Sequence, residues 1–410
     1  MTNPATHARL DTIAHDAGTL HIASTPLPRL VEMVGRTPCY IYDRDAITQR
    51  VAALRAALPA QVKLHYAIKA NPMPALVAHL GQLVDGFDVA SQHEMLVALS
   101  AGMSAASISF AGPAKRDAEV RAAVAAGVCL NVESELEIER IARHGAELGV
   151  APRIALGVNP EFQLKGAGMK MGGGASPFGI DAERVPAALA QLSSLGLRCA
   201  GLHLYCGSQN LNAAAIVEAN RLSLEFALKI AQDCATRFEF INIGGGYGIP
   251  YFAGERALDL EAVGAGLAQL FQRHAAALED LQVIVELGRY LVGEAGYYVT
   301  RVVDIKKSQD KLFVMVDGGL HHHLANSGNF GQVLRKNYPV VIGNKLADEP
   351  ALVVTIAGPL CTPLDIVADK LPVPSLAVGD LVVVLQSGAY GYSASPLLFL
   401  GHPAPPEILV

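Results

Sequence analysis

Lys69 is the residue whose type and position most clearly indicate chemistry in this sequence. It follows the apolar, alternating run 62–68, where a predicted strand would reach its carboxyl end. Desolvation among apolar neighbours disfavours the charged form of an amine, so such a lysine can attack an aldehyde carbon. The alternative is a lysine whose stem packs on the protein while its ammonium stays hydrated. The isolated position leaves both interpretations open.

Polar side chains follow several later predicted strands. Glu286 and Arg289 offer a carboxylate for a ring nitrogen and a guanidinium for a phosphate, or they form a structural ion pair. His203 could stack on a planar molecule while Ser208 donates to a phosphate, although a lone histidine is more often a core residue. The glycines 244–246 would let backbone amides approach a phosphate, but a tight turn is the simpler explanation for them alone.

The composition predicts a folded, two-domain protein. The 410 residues are 51% hydrophobic and 17% charged, and the net charge of -6 leaves no basic surface for nucleic acid. The first residues lack the apolar core of a signal peptide, and no apolar run of about eighteen residues follows, so we expect a cytoplasmic protein with no membrane span. The six cysteines lack C-x-x-C spacing, which argues against a disulfide framework or a zinc site.

Short β-branched runs alternate with Ala- and Leu-rich helical segments along most of the chain. Eight such alternations predict an α/β fold, a (β/α)8 TIM barrel whose functional groups follow the strand ends. The predicted strands are 62–66, 86–89, 108–110, 130–132, 154–158, 199–204, 238–243 and 282–286. The glycine-rich segment 166–179 is either a lid over the barrel mouth or a surface loop.

The pattern changes after about residue 290. Strand-like runs at 300–305, 312–316, 352–356 and 381–385 lack intervening helical periodicity and are separated by Pro- and Gly-rich turns. They predict a C-terminal β-barrel or sandwich domain. We expect the barrel over 36–290 and the β domain over 1–35 and 291–410.

Seven motifs, in this order, resemble the fold-type III pyridoxal-phosphate decarboxylases, the group that contains diaminopimelate and ornithine decarboxylases. The resemblance covers nearly the whole chain and implies an alanine racemase-like barrel with a β domain. The motifs are Tyr66-Ala67-Ile68-Lys69-Ala70-Asn71, Asp88-Val89-Ala90-Ser91, His203-Leu204-Tyr205-Cys206-Gly207-Ser208-Gln209, Gly244-Gly245-Gly246-Tyr247-Gly248, Glu286-Leu287-Gly288-Arg289, Gly358-Pro359-Leu360-Cys361 and Ser387-Gly388-Ala389-Tyr390-Gly391.

The resemblance also implies roles for these residues. Lys69 would bind pyridoxal 5'-phosphate covalently, His203 would stack on its ring, and Glu286 would keep the ring nitrogen protonated. Asp88 would support the surroundings of Lys69 and His203. Cys361 holds the family position of the acid that protonates the α-carbon, delivered from the second subunit of a homodimer with shared active sites. The further cofactor-binding residues implied are Ser208, Gly244, Gly245, Gly246, Gly288, Arg289 and Tyr390.

The sequence departs from these enzymes where they hold the distal end of the substrate. An acidic residue follows their catalytic cysteine, whereas Thr362 follows Cys361 here, and Asp365 comes three residues further on. Ala325 and Asn329 occupy the positions of an arginine and a tyrosine that bind the distal carboxylate of diaminopimelate. A free distal carboxylate or amine would therefore lack an obvious partner.

This loss predicts a conjugated, acylated or carrier-protein-tethered substrate, whose L- or D-amino acid head enters the barrel mouth. The run 320–338 looks most similar to the secondary-metabolite, exosortase-associated and carrier-protein branch of the family. Candidate substrate-binding residues are His321, His322, Thr362 and Asp365. The three consecutive histidines 321–323 do not predict a metal site, because successive strand residues alternate between faces.

Three alternatives stay open. The first is a diaminopimelate decarboxylase of lysine biosynthesis. The second is an amino-acid racemase, although alanine racemases place an arginine where Glu286 would sit. The third is an inactive regulatory homologue, which would be expected to lack Lys69 or Cys361, and both are present.

Overall fold

The chain divides into two compact units. The structure, a computed structural model, describes residues 7, 10, 13–162, 169–170, 173–328, 330 and 335–410. The barrel unit comprises Thr48–Ile249 and Ala257–Leu291, and the β unit comprises the described residues up to Ile47 together with Pro250–Arg256 and Val292–Val410. The expected domain bounds of 36–290 and 291–410 stay a prediction.

Eight parallel strands close into a ring in the barrel unit. Val62–Ala67 pairs with both Gln282–Leu287 and Gly86–Val89, while Cys129–Val132 pairs with Arg153–Asn159 to complete the circle. The predicted (β/α)8 barrel is therefore confirmed. The strands are Val62–Ala67, Gly86–Val89, Ile108–Phe110, Cys129–Val132, Arg153–Asn159, Cys199–Leu204, Phe240–Gly245 and Gln282–Leu287, and the short strand Ile180–Asp181 joins Arg153–Asn159 outside the ring.

Helices separate the strands and begin at capped ends. Side-chain oxygens of Ser91, Ser134, Asn212 and Asp259 accept backbone N–H groups of the first helical turn, which would otherwise lack partners. The longer helices are Arg44–Ala57, Pro74–Leu80, Gln92–Ser100, Asp117–Ala126, Glu135–Leu148, Val185–Ser194, Ala213–Asp233 and Leu260–Arg273. Shorter turns are Ile68–Ala70, Ala105–Ser107, Ala182–Arg184, Ala275–Leu278 and Arg289–Val292. Over the described ranges, no helix has the length and apolar character needed to cross a bilayer.

Buried polar side chains lie along the barrel strands. Barrels of this kind are usually filled by layers of branched apolar residues. Here an apolar layer that includes Cys129, Phe240 and Ile284 is accompanied by seven polar side chains, each no more than 8% exposed. These are His65, Asp88, Ser109, Asn131, His203, Asn242 and Glu286. Because buried polar groups require partners, their contacts define the candidate site.

The β unit is built on a mostly antiparallel sheet. Its strands are ordered Val340–Ile342, Leu381–Val384, Gly296–Ser308, Lys311–Val316, Leu352–Ala357 and Ile366–Val373. Cys39–Tyr42 pairs with Gly296–Ser308 and also with Glu407–Leu409. The predicted C-terminal β domain is thus confirmed.

The N-terminal segment of the chain packs into the core of the same unit. Leu20, Ile22 and Leu27 are buried together with Val299 and Val383 of the sheet. The segment forms the strands His15–Asp16, Thr19–Ile22 and Thr25–Pro26 and the helix Leu27–Val34. The short helical turns Gly293–Ala295 and Phe399–Gly401 complete the unit.

Candidate active site

Lys69 and Glu286 form an ion pair at the carboxyl ends of two neighbouring barrel strands. Lys69 lies in the turn Ile68–Ala70, and its Nζ is 3.0 Å from Oε1 of Glu286. The lysine side chain is 42% exposed, whereas the glutamate side chain is 2% exposed. Gly288 lets the two strand ends approach, because a Cβ there would lie 2.9 Å from the Cβ of Ala70. The amine is therefore reachable while its carboxylate is enclosed.

His203 contacts the other oxygen of the same carboxylate. Its Nε2 lies 3.0 Å from Oε2 of Glu286, and its Nδ1 lies 3.1 Å from Nδ2 of Asn131. Burial alone would raise the pKa of Glu286, but Lys69 and His203 outweigh it and hold that pKa well below its ordinary value. Burial lowers the pKa of His203, and Glu286 reverses the direction, so the net shift is upward. Glu286 is thus ionised in this arrangement.

Asp88 lies in the barrel interior beside His65. Its Oδ2 is 3.2 Å from Nδ1 of that histidine, and both side chains are buried. The pair borders a cavity of about 240 Å³ that is also lined by Ser109 and Asn242. Gly86 leaves room for the histidine ring, because a Cβ there would lie 2.5 Å from Nε2 of His65. The expectation that Asp88 supports the surroundings of Lys69 stays a prediction.

The glycine run ends the strand Phe240–Gly245 and adjoins Glu286. Gly244 and Gly246 have φ of +72° and +73°, which favour glycine. A Cβ on Gly245 would lie 2.1 Å from the carbonyl oxygen of Glu286. The close approach of the two backbones therefore explains these glycines in part. It also places the glycine run beside the strand end that carries Glu286.

The other two expected phosphate-binding groups of the barrel unit lie at strand and helix ends. Ser208 belongs to the short strand Gly207–Ser208, which pairs with Met169–Lys170. Arg289 begins the turn Arg289–Val292. The expected lid 166–179 is described only in part, because 166–168 and 171–172 lie outside the described residues.

The three histidines 321–323 are buried in the β unit. His322 has Nε2 3.0 Å from the carbonyl oxygen of Pro403 and Nδ1 3.2 Å from the hydroxyl of Tyr298. His323 has Nε2 3.0 Å from Oγ of Ser387. The His321 ring packs against His322 at a centroid distance of 3.6 Å, and burial lowers its pKa to about 4. His322 and His323 are thus held by contacts within the unit, and the expected substrate contacts of His321 and His322 stay predictions.

Asp365 connects two backbone segments of the β unit. Its Oδ1 accepts a hydrogen bond from the Leu320 amide at 2.6 Å, and its Oδ2 accepts one from the Leu360 amide at 2.8 Å. Its carboxylate fills the space beside Gly319 and Gly358, where a Cβ would lie 2.1 and 2.3 Å from its oxygens. Both oxygens are therefore committed to the protein itself, which does not favour the expected contact with substrate.

The remaining expected residues of the β unit are Cys361, Thr362 and Tyr390. Cys361 is an exposed, free thiol. The backbone N–H of Thr362 donates to the carbonyl of Leu360 at 2.8 Å. Tyr390 has φ of +56°, and its ring centroid lies 6.5 Å from that of Phe330. Ala325 is buried, and Asn329 lies outside the described residues.

Sequence reasoning missed the polar residues inside the strands. His65 stands between Leu64 and Tyr66, and Asn242 stands between Ile241 and Ile243. A single polar residue in an apolar strand indicates a position that faces the barrel interior, and this signal could have identified both. Asn242 accepts the Gly244 amide at 2.9 Å and lies 3.5 Å from Glu286, so it belongs to the candidate site.

Comparison with known proteins identifies the family of this chain. The model of the pyridoxal-dependent decarboxylase family, pyridoxal binding domain, matches residues 44–293. The chain is 38% identical to the L-glutamyl-[BtrI acyl-carrier protein] decarboxylase of Niallia circulans, over 91% of this chain and 88% of that protein. It is 30% identical to the 2-[(L-alanin-3-ylcarbamoyl)methyl]-2-hydroxybutanedioate decarboxylase of Staphylococcus aureus, over 89% and 92% of the two chains.

A solved structure shares the whole fold. The diaminopimelate decarboxylase from M. jannaschii in complex with L-lysine superposes with a TM-score of 0.88, at 25% identity, over 98% of this chain and 93% of that chain. The site also fits the cofactor of the family, since an accessible amine, an enclosed carboxylate and a glycine loop adjoin one another at the barrel strand ends. The chain belongs to the pyridoxal-dependent decarboxylases, carboxy-lyases that use pyridoxal 5'-phosphate.

Proposed function

We propose that this enzyme decarboxylates the α-amino acid head of a substrate whose far end is conjugated, acylated or tethered to a carrier protein. The position of Asp365 carries this proposal. It is the nearest carboxylate that follows Cys361 in the chain, and both of its oxygens accept backbone N–H groups. Thr362 and the buried Ala325 bear no charge. A free distal ammonium or carboxylate would be desolvated here without a charged partner from these positions, which is costly.

The names of two relatives support the same class of substrate. One relative acts on a glutamyl group held by an acyl-carrier protein. The substrate of the other is an alanine head joined through a carbamoyl group to a hydroxybutanedioate. In both names the amino acid is part of a larger molecule. We extend this feature to the substrate of the present enzyme.

The barrel residues would hold the cofactor and orient it. Bound pyridoxal phosphate supplies a protonated ring that accepts the electron pair left by the departing carboxylate. Lys69 would attach to the aldehyde carbon through its exposed amine, and Glu286, kept ionised by its surroundings, would hold the proton on the ring nitrogen. His203 would flank the ring. The phosphate would be bound by Ser208, Gly244, Gly245, Gly246, Arg289 and Tyr390.

Cys361 would supply the proton that replaces the carboxylate. Loss of CO₂ leaves an electron pair on the substrate α-carbon, and transfer of the thiol proton to that carbon completes the amine product. Solvent then reprotonates the thiolate. The exposure of Cys361 is consistent with this role. We also propose that the enzyme is a cytoplasmic homodimer in which the second copy delivers this thiol.

Diaminopimelate decarboxylation is the second candidate function. The similarity to the M. jannaschii enzyme over nearly the whole chain favours it. It would require a distal clamp from residues other than Thr362, Ala325 and Asp365. The two functions therefore differ in the group that must occupy the far end of the substrate.

A panel of substrates separates the two functions. CO₂ release would be measured with meso-diaminopimelate, ornithine, amide-linked amino acids and carrier-linked glutamate, with the Lys69→Ala variant as the blank. We expect release from at least one conjugated substrate. Release from free diaminopimelate alone would establish the second candidate, and no release from any member by the cofactor-loaded protein would contradict the proposal.

A substitution at Thr362 tests the missing charge directly. Thr362→Glu places an acid next to Cys361 and should raise kcat/KM for free diamino acids relative to conjugated ones. Ser194→Glu adds the same charge at an exposed position on the helix Val185–Ser194 and should leave the ratio unchanged. An unchanged ratio in Thr362→Glu would show that this position does not face the distal end.

A further inference from the structure

Gln209 joins two loops at the carboxyl ends of the barrel strands. It ends the motif that begins at His203, and it lies next to Ser208. Its Nε2 donates to the carbonyl oxygen of Ile249 at 2.5 Å, and its Oε1 accepts the Ile249 N–H at 3.2 Å. We propose that Gln209 is a positioning residue that holds Ser208 and the glycine run 244–246 in the arrangement that binds the cofactor phosphate. This inference deepens the proposed function: it rests on the proposed phosphate site and not on the identity of the substrate.

The two loops follow neighbouring strands of the barrel. The strands Cys199–Leu204 and Phe240–Gly245 pair in parallel, so the chain leaves both at the same edge. The backbone of Asn210 continues the contact beyond the strands. Its N–H donates to the carbonyl oxygen of Gly246 at 2.9 Å, and its carbonyl accepts the N–H of Gly248 at 2.8 Å. The loops are therefore joined by backbone hydrogen bonds as well as by the glutamine side chain.

The backbone of Gln209 lies in the left-handed region. Its φ is +59°, which is unfavourable for a residue that carries a Cβ. Such a conformation persists where surrounding contacts fix it, and the two hydrogen bonds to Ile249 are contacts of this kind. The packing is also close, because a Cβ on Gly248 would lie 2.9 Å from the carbonyl carbon of Gln209. Glycine would suit the backbone of Gln209 better, so the conformation alone does not explain a glutamine at this position.

The other end of the Ser208 loop is also attached to the barrel unit. Asn210 is completely buried, and its Oδ1 accepts the Asn212 N–H at 2.8 Å. The side chain of Asn212 in turn accepts the Ala215 N–H at the start of the helix Ala213–Asp233. The loop is thus held between a helix and the glycine run, and the partly exposed Ser208 lies on this held segment.

This arrangement has a consequence for phosphate binding. A phosphate group accepts hydrogen bonds from several donors, and it binds tightly where these donors are already in place. Ser208 and the glycine run belong to different loops, so the distance between their donors depends on the contacts that join the loops. Gln209 would therefore affect the phosphate without touching it. Pyridoxal lacks the phosphate and would not depend on these donors.

The affinities of the full-length protein for pyridoxal phosphate and for pyridoxal test this role. Gln209→Met keeps the length of the side chain but removes both hydrogen bonds to Ile249. It should weaken binding of pyridoxal phosphate by at least about tenfold, the equivalent of one hydrogen bond to a charged group, and leave the affinity for pyridoxal unchanged. The ³¹P resonance of the bound cofactor should move toward that of free pyridoxal phosphate. Equal losses for both ligands, or no loss for either, would overturn the proposal.

Gln309→Met is the matched control. Gln309 is an exposed glutamine with φ of +53°, and it follows the strand Gly296–Ser308 of the β unit. The same substitution in the same backbone conformation should leave both affinities unchanged there. Should Gln209→Met fail to fold, Gln209→Gly removes the same two hydrogen bonds and suits the positive φ. It should show the same selective loss, and an unchanged preference for pyridoxal phosphate would overturn the proposal.

Arg289→Met separates the role of Gln209 from the phosphate site itself. Loss of the guanidinium should also weaken binding of pyridoxal phosphate relative to pyridoxal, while the hydrogen bonds of Gln209 remain. If Arg289→Met shows this selective loss and Gln209→Met does not, the phosphate site stands and the role of Gln209 is excluded. If neither variant shows it, the proposed phosphate site and the role of Gln209 are both excluded.

Discussion

Nζ of Lys69 and Oε1 of Glu286 lie 3.0 Å apart, although the glutamate is enclosed and the lysine is partly exposed to solvent. The two groups neutralise each other at the site where the cofactor would bind. In the cofactor-free protein each group is the partner of the other. When the cofactor binds, the amine would instead attach to its aldehyde carbon, and the carboxylate would instead pair with its protonated ring nitrogen. The ion pair thus identifies two groups that the cofactor would separate.

Removal of the Lys69 amine should abolish covalent attachment of the cofactor. Lys69→Ala should lose the absorbance of the bound cofactor, and borohydride reduction followed by peptide mapping should label Lys69 in the wild type. Lys63→Ala is the matched control, because Lys63 lies on the strand that leads to Lys69 but its Nζ is 3.7 Å from Asp85 and its side chain is 43% exposed. Labelling of Lys63 or Lys115 in the wild type would contradict the assignment.

The Glu286 carboxylate should make the stability of the cofactor-free protein depend on pH. Its pKa is lowered in the folded chain, so its contribution is complete above the unfolded value near 4.3 and is lost as pH falls further. We expect a decline in Tm below about pH 4 that is smaller in Glu286→Gln. Glu279→Gln, at an exposed position, should keep the wild-type slope. Equal slopes for Glu286→Gln and wild type would show that the pKa is not lowered.

Cys361 should matter for turnover and not for cofactor binding. Loss of a general acid costs roughly 10²–10⁴-fold in rate, so Cys361→Ala should slow CO₂ release to that extent while the cofactor absorbance remains. Cys234→Ala is the control, since this thiol is partly buried at the end of the helix Ala213–Asp233. Unchanged rate and unchanged product stereochemistry in Cys361→Ala would exclude the role.

The buried ion pair of Lys115 and Glu137 should be important for stability. Lys115→Met leaves the glutamate buried without its cation, which typically costs about 3–5 kcal/mol. Lys229→Met removes a pair with Asp233 whose side chains are mostly exposed, and it should cost less than about 1 kcal/mol. Urea unfolding of the two variants measures both values, and similar losses would refute the distinction between the buried and the exposed pair.

The barrel strands were predictable because each is a short apolar run between helical segments. The site residues at strand ends, such as Lys69 and Glu286, followed from the rule that loops of this fold converge there. His65, Asn242 and Lys115 could not be assigned roles in the same way, because their contacts depend on which strands become neighbours. Lys115 in particular stands in a loop between a strand and a helix, where a lysine is usually exposed.

The strand Cys39–Tyr42 shows a second limit of sequence reasoning. Its four residues are apolar and fully buried, and nothing local indicates which sheet the strand joins. Its partners, Gly296–Ser308 and Glu407–Leu409, lie more than two hundred residues away along the chain and place it in the β unit. Asp365 is comparable, since its hydrogen bonds with the backbone amides of Leu320 and Leu360 depend on the tertiary fold, and its expected contact with substrate stays a prediction.

The most direct test of the proposed function compares kcat/KM for free meso-diaminopimelate with that for conjugated amino acids. Binding sites that lack partners for charged groups discriminate strongly against them, so we expect a preference of at least about 100-fold for a conjugated substrate. The same comparison in Thr362→Glu should show a smaller preference. Equal efficiency for diaminopimelate and for every conjugated substrate, with lysine as the product, would contradict the account and establish diaminopimelate decarboxylation instead.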